Sequence, residues 1–400
     1  MADLDALRAA AEAILPDVVA TRRRLHRRPE IGLQLPESRA TIVADLHAIG
    51  LVPRLGETTT SVTALIEGAR PGPTTLLRAD MDALPLQEDT GLEFTSELDG
   101  VMHACGHDTH VAMLLGAARL LAERRDELTG RVLLMFQPGE EGLHGARFML
   151  DEGLLDLETT AECGPVERAV ALHISTRYAS GHVALRPGAM LAAADAIRAT
   201  VHGRGGHAST PHLAVDPITA AAQLVLAIQT MVTRRIDVFD PAVVTIARIS
   251  GGTTNNIIPE SVEIHGTIRT VSPASRVLVA TALREVAAGV AAMTGTTIDL
   301  EIIPGYPGTM NDPGATAWFR DLAVGLAGDD AVEDLAAPVM GAEDFSYVLE
   351  RVPGLMAFLG ARPAGEDPLT APQNHSSHVV FDEPAMALGI ALYAAAALDR

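Results

Sequence analysis

Four hundred residues exceed what one hydrophobic core can serve, so the chain is read as two domains. Hydrophobic residues make up 48%, charged residues 20% and aromatics only 3%, so the cores must rest on Ala, Val, Leu and Ile. A formal net charge of -21 excludes nucleic acid and anionic membrane as partners, because both reward basic surfaces; an anionic substrate then requires a local cation.

Leu4, Leu7, Ala11, Ile14, Val18 and Leu25 recur at helical spacing, with Pro16 as a point where the helix breaks or kinks. The opening MADLDALRAAAEAILP has acids and lacks a basic start followed by an apolar block, so it reads as helix and not as a signal peptide. No charge-free run of about 18 apolar residues marks a membrane span. A second helix is predicted over Pro36–His47, stopped by Gly50. Strands follow at Val62–Glu67, Thr74–Ala79, Val132–Phe136 and Ala169–His173, with a helix over Val111–Arg124 between them. Near the C-terminus come a helix over Ala315–Leu326, a strand at Leu355–Leu359 and a last helix after Pro384. Apolar strands alternating with helices predict an α/β domain: a mostly parallel sheet with helices on both faces.

The stretch 187–304 has another rhythm. Ala196–Val201 reads as a strand, and Asp216 caps a helix that starts at Pro217 and runs to Val232. Strands at Val243–Ile249 and Val262–Thr270 follow, the second with Val262, Ile264, Gly266 and Ile268 on one face. Ser272 and Pro273 open another helix, which Gly295 closes, and Ile298–Ile303 forms a last strand. The order βαββαβ is that of a ferredoxin-like α+β unit. The expected organisation is therefore 1–186 and 305–400 as two parts of one domain, with 187–304 inserted. Two cysteines, Cys105 and Cys163, make no disulfide framework, which points to a reducing compartment and a cytoplasmic location.

Five segments carry chemistry. HACGHDTH (His103–His110) puts four metal-competent side chains in eight residues, and the glycine between Cys105 and His107 permits a turn that aims both at one ion. The alternative is a helix N-terminus capped by Asp108 and Thr109, with His103 and His110 solvated. FQPGEEG (Phe136–Gly142) follows a strand. Its adjacent carboxylates repel and cannot point the same way, so one suits a metal and the other a water, though a solvated acidic turn has the same composition. In ALHIS (Ala171–Ser175), His173 falls at a strand end, the edge where open α/β sheets bind ligands, although a lone histidine there also fits a core position. RADMDALP (Arg78–Pro85) offers Asp80 and Asp82 at another strand end, where either could orient a metal-bound histidine. QNHSSH adds His375 and His378 in a polar loop. A sheet gathers its strand ends on one rim, so these sites are stronger together than singly.

The chain resembles the aminoacylase-like dinuclear metallo-amidohydrolases and metallopeptidases, most closely their hippurate hydrolase, indole-acetyl-amino-acid hydrolase and N-acyl-amino-acid amidohydrolase branch. The resemblance spans LHRRPEIG, RADMDALP, HACGHDTH, FQPGEEG, GRGGHAS, NNIIPE, GTIRT, GAEDFSY and the NHS of Asn374–Ser376. It implies a zinc-exopeptidase-like fold whose inserted domain serves as lid and dimerisation domain. It also implies two divalent metal ions, zinc or manganese with cobalt or nickel as alternatives, held by Cys105, His107, Glu141, His173 and His375, with Cys105 bridging. Glu140 becomes the general base, and His207 reaches the scissile carbonyl, from a partner subunit of a homodimer. Asn256 and Arg269 hold the carboxylate of an N-acyl amino acid. Two positions depart from the pattern: Ser377 stands where proline is usual, and Gly139 stands where alanine is common and is expected to matter little. A dipeptidase, a thiol hydrolase with Cys105 as nucleophile, and a non-catalytic binding protein on the same fold are the alternatives.

Overall fold

A computed structural model describes residues 3–160 and 163–399, so Met1, Ala2 and Arg400 of the outer predicted segments lie outside the described residues. The chain divides into two compact units. The first holds the residues up to Met190, Met310–Ala337 and those from Asp344 onward; the second holds Leu191–Thr309 and Pro338–Glu343. The sequence breaks at 187 and 304 thus differ from the compact units by a few residues at each side. Return of the short 338–343 segment to the second unit has no local signal.

The first unit is built on an eight-stranded sheet. Its central strands, Thr129–Gln137, Arg70–Asp80, Cys163–Ala179 and Gly354–Arg362, run parallel in that spatial order. Val62–Glu67 and Val183–Leu185 flank them antiparallel, which makes the sheet mixed towards its edges. Buried on both faces, the central strands read as near-continuous apolar runs such as LLMF and AVAL. Helices Leu4–Arg27, His107–Glu123 and Ala385–Leu398 pack together over the sheet, and Val18, Met113 and Ile390 belong to one core. Gly116 lets two of them approach: a Cβ there would sit 2.9 Å from Val18 and 3.1 Å from Ile390. The Tyr393 hydroxyl ties the last helix to two central strands, donating to the Arg78 carbonyl at 2.6 Å and accepting the Leu172 N–H at 2.9 Å.

Two local expectations are corrected. The first helix runs unbroken from Leu4 to Arg27 through Pro16. Pro16 lies on its exposed face, where solvent can satisfy the carbonyl of Glu12 that loses its intrahelical donor. His173 is not at a strand end: its strand continues to Ala179 because Ile174, Thr176 and Tyr178 favour extended backbone and Leu359 and Gly360 pair with its continuation.

The second unit carries an antiparallel four-stranded sheet in the order Ala242–Ser250, Ser261–Thr270, Ala193–His202, Thr297–Pro304. With helices Pro217–Arg235 and Pro273–Thr294 this is the ferredoxin-like βαββαβ arrangement. Asp216 accepts from the Ile218 N–H and Ser272 from the Ser275 N–H, so both helices start where their caps place them. Both helices share a core with Ile197, Ala199, Val262, Ile264 and Ile268, the alternate residues of the two central strands. Arg198, Glu263 and Thr267 emerge exposed on the opposite face. Pro273–Thr294 is long and apolar enough to cross a membrane by composition, but Val279, Leu283, Ala287 and Val290 pack it into this core.

Candidate metal centre

Gly106 builds the first part of the site. Its φ of +91° is open to glycine, and a Cβ would meet Ile174 Cγ2 at 2.4 Å and Phe381 Cζ at 3.0 Å. The helix therefore starts at His107, directly after the turn that carries Cys105. His107 is fully buried and its Nδ1 donates to the Asp82 carbonyl at 2.8 Å. That bond uses Nδ1 and leaves Nε2 buried with no hydrogen-bond partner, 3.3 Å from Asp80 Oδ2. Burial alone would lower the His107 pKa, but Asp80 and Cys105 raise it well above the ordinary value.

His173 is set the same way. Its Nδ1 donates to the Ile174 carbonyl at 2.8 Å, and Nε2 lies 3.4 Å from Cys105 Sγ. Burial and the neighbouring His110 hold it well below the usual histidine range, hence neutral. From the other side, His375 Nε2 lies 3.3 Å from Cys105 Sγ and 3.2 Å from Glu141 Oε1. Bonds to Cys105 and then Glu141 push its pKa up to about 10. His375 has a φ of +70°, in a region that a branched Cβ avoids, and its N–H donates to the Ala104 carbonyl at 2.9 Å. Burial raises the Cys105 pKa, so the thiol has no intrinsic tendency to ionise.

Asp82 organises the acidic loop. Its two carboxylate oxygens accept the N–H groups of Glu140 at 2.9 Å and Glu141 at 3.0 Å. The sequence left Asp82 as an orienter of histidine; it performs that task with its carbonyl, while the carboxylate holds the neighbouring carboxylates' backbone. Glu141 Oε1 is buried, with His375 Nε2 as its ion-pair neighbour at 3.2 Å. Gly139 matters more than expected, because its φ is +69° and a Cβ would sit 2.4 Å from Leu33 Cδ2.

Asp80 leads away from the centre. It receives Arg78 at 2.7 Å and His110 Nδ1 at 2.5 Å, and His110 Nε2 accepts the Ile174 N–H at 2.8 Å. Both nitrogens of His110 are thereby occupied, which makes it a support. Arg78 also donates to Gln137 (2.9 Å), and Gln137 donates to Asp344 (2.6 Å), a buried polar chain that the sequence reading did not name. His103 is buried with neither nitrogen partnered, and burial pushes its pKa down to about 3, so it is not the solvated histidine that its surroundings in the sequence allowed. His378 is exposed and bonds the Asp89 carbonyl.

The five residues fall into two donor groups that share one sulfur. Ligand atoms of Cys105, His107 and His173 lie within 4.8 Å of one another, as do those of Cys105, Glu141 and His375. Two ligands at 2.0–2.3 Å from one tetrahedral zinc lie about 3.3–3.6 Å apart, and the observed 3.2–3.4 Å separations sit at or just below the short end of that range. His107 Nε2, buried without a hydrogen bond, and Glu141 Oε1, paired only with His375, are buried polar atoms that a cation would satisfy.

In the second unit, His207 is exposed on a short strand that pairs with Ile257–Ile258, and Asn256 accepts the Ala208 N–H at 3.1 Å, so His207 and Asn256 are neighbours. His207 Nδ1 accepts the Ser209 N–H at 3.1 Å and lies 2.7 Å from its hydroxyl. With Nδ1 accepting there, the ring proton sits on Nε2. Arg269 pairs in register with Val243 and Ala194, farther along the same unit's sheet, and forms no ion pair among the described residues.

Residues 76–399 match the sequence profile of the Peptidase family M20/M25/M40. The chain belongs to this family. Thermostable carboxypeptidase 1 of Saccharolobus solfataricus is 38% identical over 94% of this chain and 93% of its own length. IAA-amino acid hydrolase ILR1-like 2 of Arabidopsis thaliana is 38% identical over 96% and 84%, and N-acetyl-L-cysteine deacetylase of Bacillus subtilis 38% over 86% and 80%. Among solved structures, the YXEP protein of Bacillus subtilis, described as a dinuclear metal binding peptidase from the M20 family, superposes with a TM-score of 0.82 at 32% identity, covering 97% of this chain and 98% of that one. The protein is thus a hydrolase of the M20 family, with side-chain groups able to bind metal.

Proposed function

We propose that the protein hydrolyses the amide bond of N-acyl amino acids, releasing a carboxylic acid and a free amino acid. The observation that carries this reading is Cys105 shared between two donor groups, beside an acidic pair held by Asp82. Cys105, His107, Glu141, His173 and His375 would hold two divalent cations, with Cys105 common to both. Thiolate and imidazole favour zinc, while the carboxylate admits manganese, cobalt or nickel. Such cations supply Lewis-acid polarisation of a carbonyl and lower the pKa of water.

Glu140 takes the proton of the attacking water and passes it to the leaving amine. Its backbone is fixed by Asp82, and its carboxylate gathers with His107 and Glu141 but, among the described residues, in no group with Cys105. His207, with its proton on Nε2, donates to the developing oxyanion. Arg269 and Asn256 hold the substrate carboxylate, and Arg269 supplies the cation that an acidic chain needs for an anionic substrate. Asp80 and Asp82 position the centre from behind.

Two copies pair through the second unit. Its edge strand Ala242–Ser250 exposes Val243 and Ile249, and Phe239 just before it is 93% exposed. Both cysteines are free, in keeping with the cytoplasm. A second reading, a dipeptidase or carboxypeptidase-like enzyme, is favoured by the similarity to a carboxypeptidase.

The deciding experiment is a hydrolysis screen over N-acetyl, N-benzoyl and indole-acetyl amino acids and dipeptides, before and after chelation. Activity on the acyl amino acids that chelation removes and zinc or manganese restores supports the proposal. Activity that survives chelation makes Cys105 a nucleophile, preference for dipeptides favours the second reading, and no turnover leaves a binding protein.

A further inference from the structure

Asn374 has no role in the reaction as proposed, yet its carboxamide ties the segment before His375 to those that carry Cys105 and His173. Its Nδ2 donates one proton to the Cys105 carbonyl at 2.9 Å and the other to the Ile174 carbonyl at 2.9 Å. Its Oδ1 accepts the Thr176 N–H at 3.4 Å. The Ile174 carbonyl is the same atom that receives His173 Nδ1–H at 2.8 Å and so sets that ring's tautomer. The residue after Asn374 is His375, held at a φ of +70° with its N–H on Ala104.

We infer that Asn374 is a positioning residue that assembles the cation site before a cation arrives, by indexing the Cys105, His173 and His375 segments against one another. This rests on the reading of those three residues as ligands. Two carbonyls converge on one nitrogen, so the amide orientation is fixed by chemistry and only a primary amide meets it. Aspartate would set a carboxylate against two carbonyl oxygens, serine offers one proton, and alanine none. A strained backbone at His375 persists only where its surroundings over-determine it, and Asn374 supplies that restraint from the adjacent residue.

The test is cobalt(II) titration of the metal-free full chain, read by calorimetry and by the thiolate-to-cobalt charge-transfer absorption. Asn374→Ala is expected to weaken cobalt affinity about 10–100-fold, the range for groups that orient metal ligands, and to change the charge-transfer band at saturation. Asn374→Asp should weaken it further, and Asn374→Ser should fall between wild type and alanine. A purely structural residue would lower the unfolding midpoint and leave the saturated spectrum unchanged. Wild-type affinity and spectrum in the alanine variant overturn the inference while leaving the proposed function standing. Should that variant not fold, the serine variant gives the same reading. A wild-type chain that shows no thiolate band overturns both.

Discussion

Gly106→Ala tests whether the turn between Cys105 and His107 is dictated by space as well as by φ. A left-handed φ costs an L-residue about 1–2 kcal/mol, and forcing a methyl into a packed core typically adds roughly 1–3 kcal/mol. At Gly106 the methyl would meet Ile174 and Phe381, both buried and unable to move aside, so the sum is about 2–5 kcal/mol. Gly50 is the control. Its φ is +76° but nothing lies within 4 Å of its would-be Cβ, so Gly50→Ala should incur only the conformational part, about 1–2 kcal/mol. Trp318 is the only tryptophan and lies in the first unit with both glycines, so its fluorescence reports the right transition in a chain whose two units need not unfold together. The assay is urea unfolding of metal-free protein at unchanged m-value, which reads stability as a midpoint shift. Equal shifts for the two variants would refute the packing argument, showing that the Ile174–Phe381 wall yields.

Glu140→Gln should lower kcat on the order of a hundredfold or more while leaving metal content intact, and Glu141→Gln should lose metal; metal analysis showing the opposite pattern would reverse their roles. Arg269→Ala should raise KM about 10–100-fold for an N-acyl amino acid and erase the preference for it over the corresponding amide; equal discrimination by both forms would assign the carboxylate contact elsewhere. Glu383 governs acid sensitivity: burial would raise its pKa, but bonds to Arg23 and Arg22 lower it below the ordinary carboxylate value. A depressed folded pKa contributes stability that is present above the unfolded value and lost as pH falls through the folded one. Thermal scans should therefore show wild type losing more stability than Glu383→Gln between about pH 5 and pH 3, and parallel curves would contradict the role of that pair.

The sequence by itself determined the longer elements and the capped helix starts of the second unit, because these depend on neighbours in the chain; the ends of the first unit's strands and short elements such as Gly145–Asp151, Val183–Leu185 and Val332–Asp334 were not legible. Asp216–Pro217 and Ser272–Pro273 start their helices through bonds spanning two or three residues, and Val262, Ile264 and Ile268 face the core through a period of two. The turn at Gly106 was legible for the same reason. Only the tertiary structure decided which members of HACGHDTH face the centre. Cys105 and His107 turn inward because Gly106 bends the chain, His110 is occupied by Asp80 and Ile174, and His103 is buried among other residues. It also placed His173 inside its strand, gave Gly139 a spatial reason through Leu33, and brought Asn374 to carbonyls 200 and 269 residues away. A histidine's usable nitrogen is fixed by whatever the other nitrogen bonds, and here those partners are carbonyls and carboxylates from distant segments. Such bonds leave no periodicity or local spacing in the chain, so folding alone fixes them.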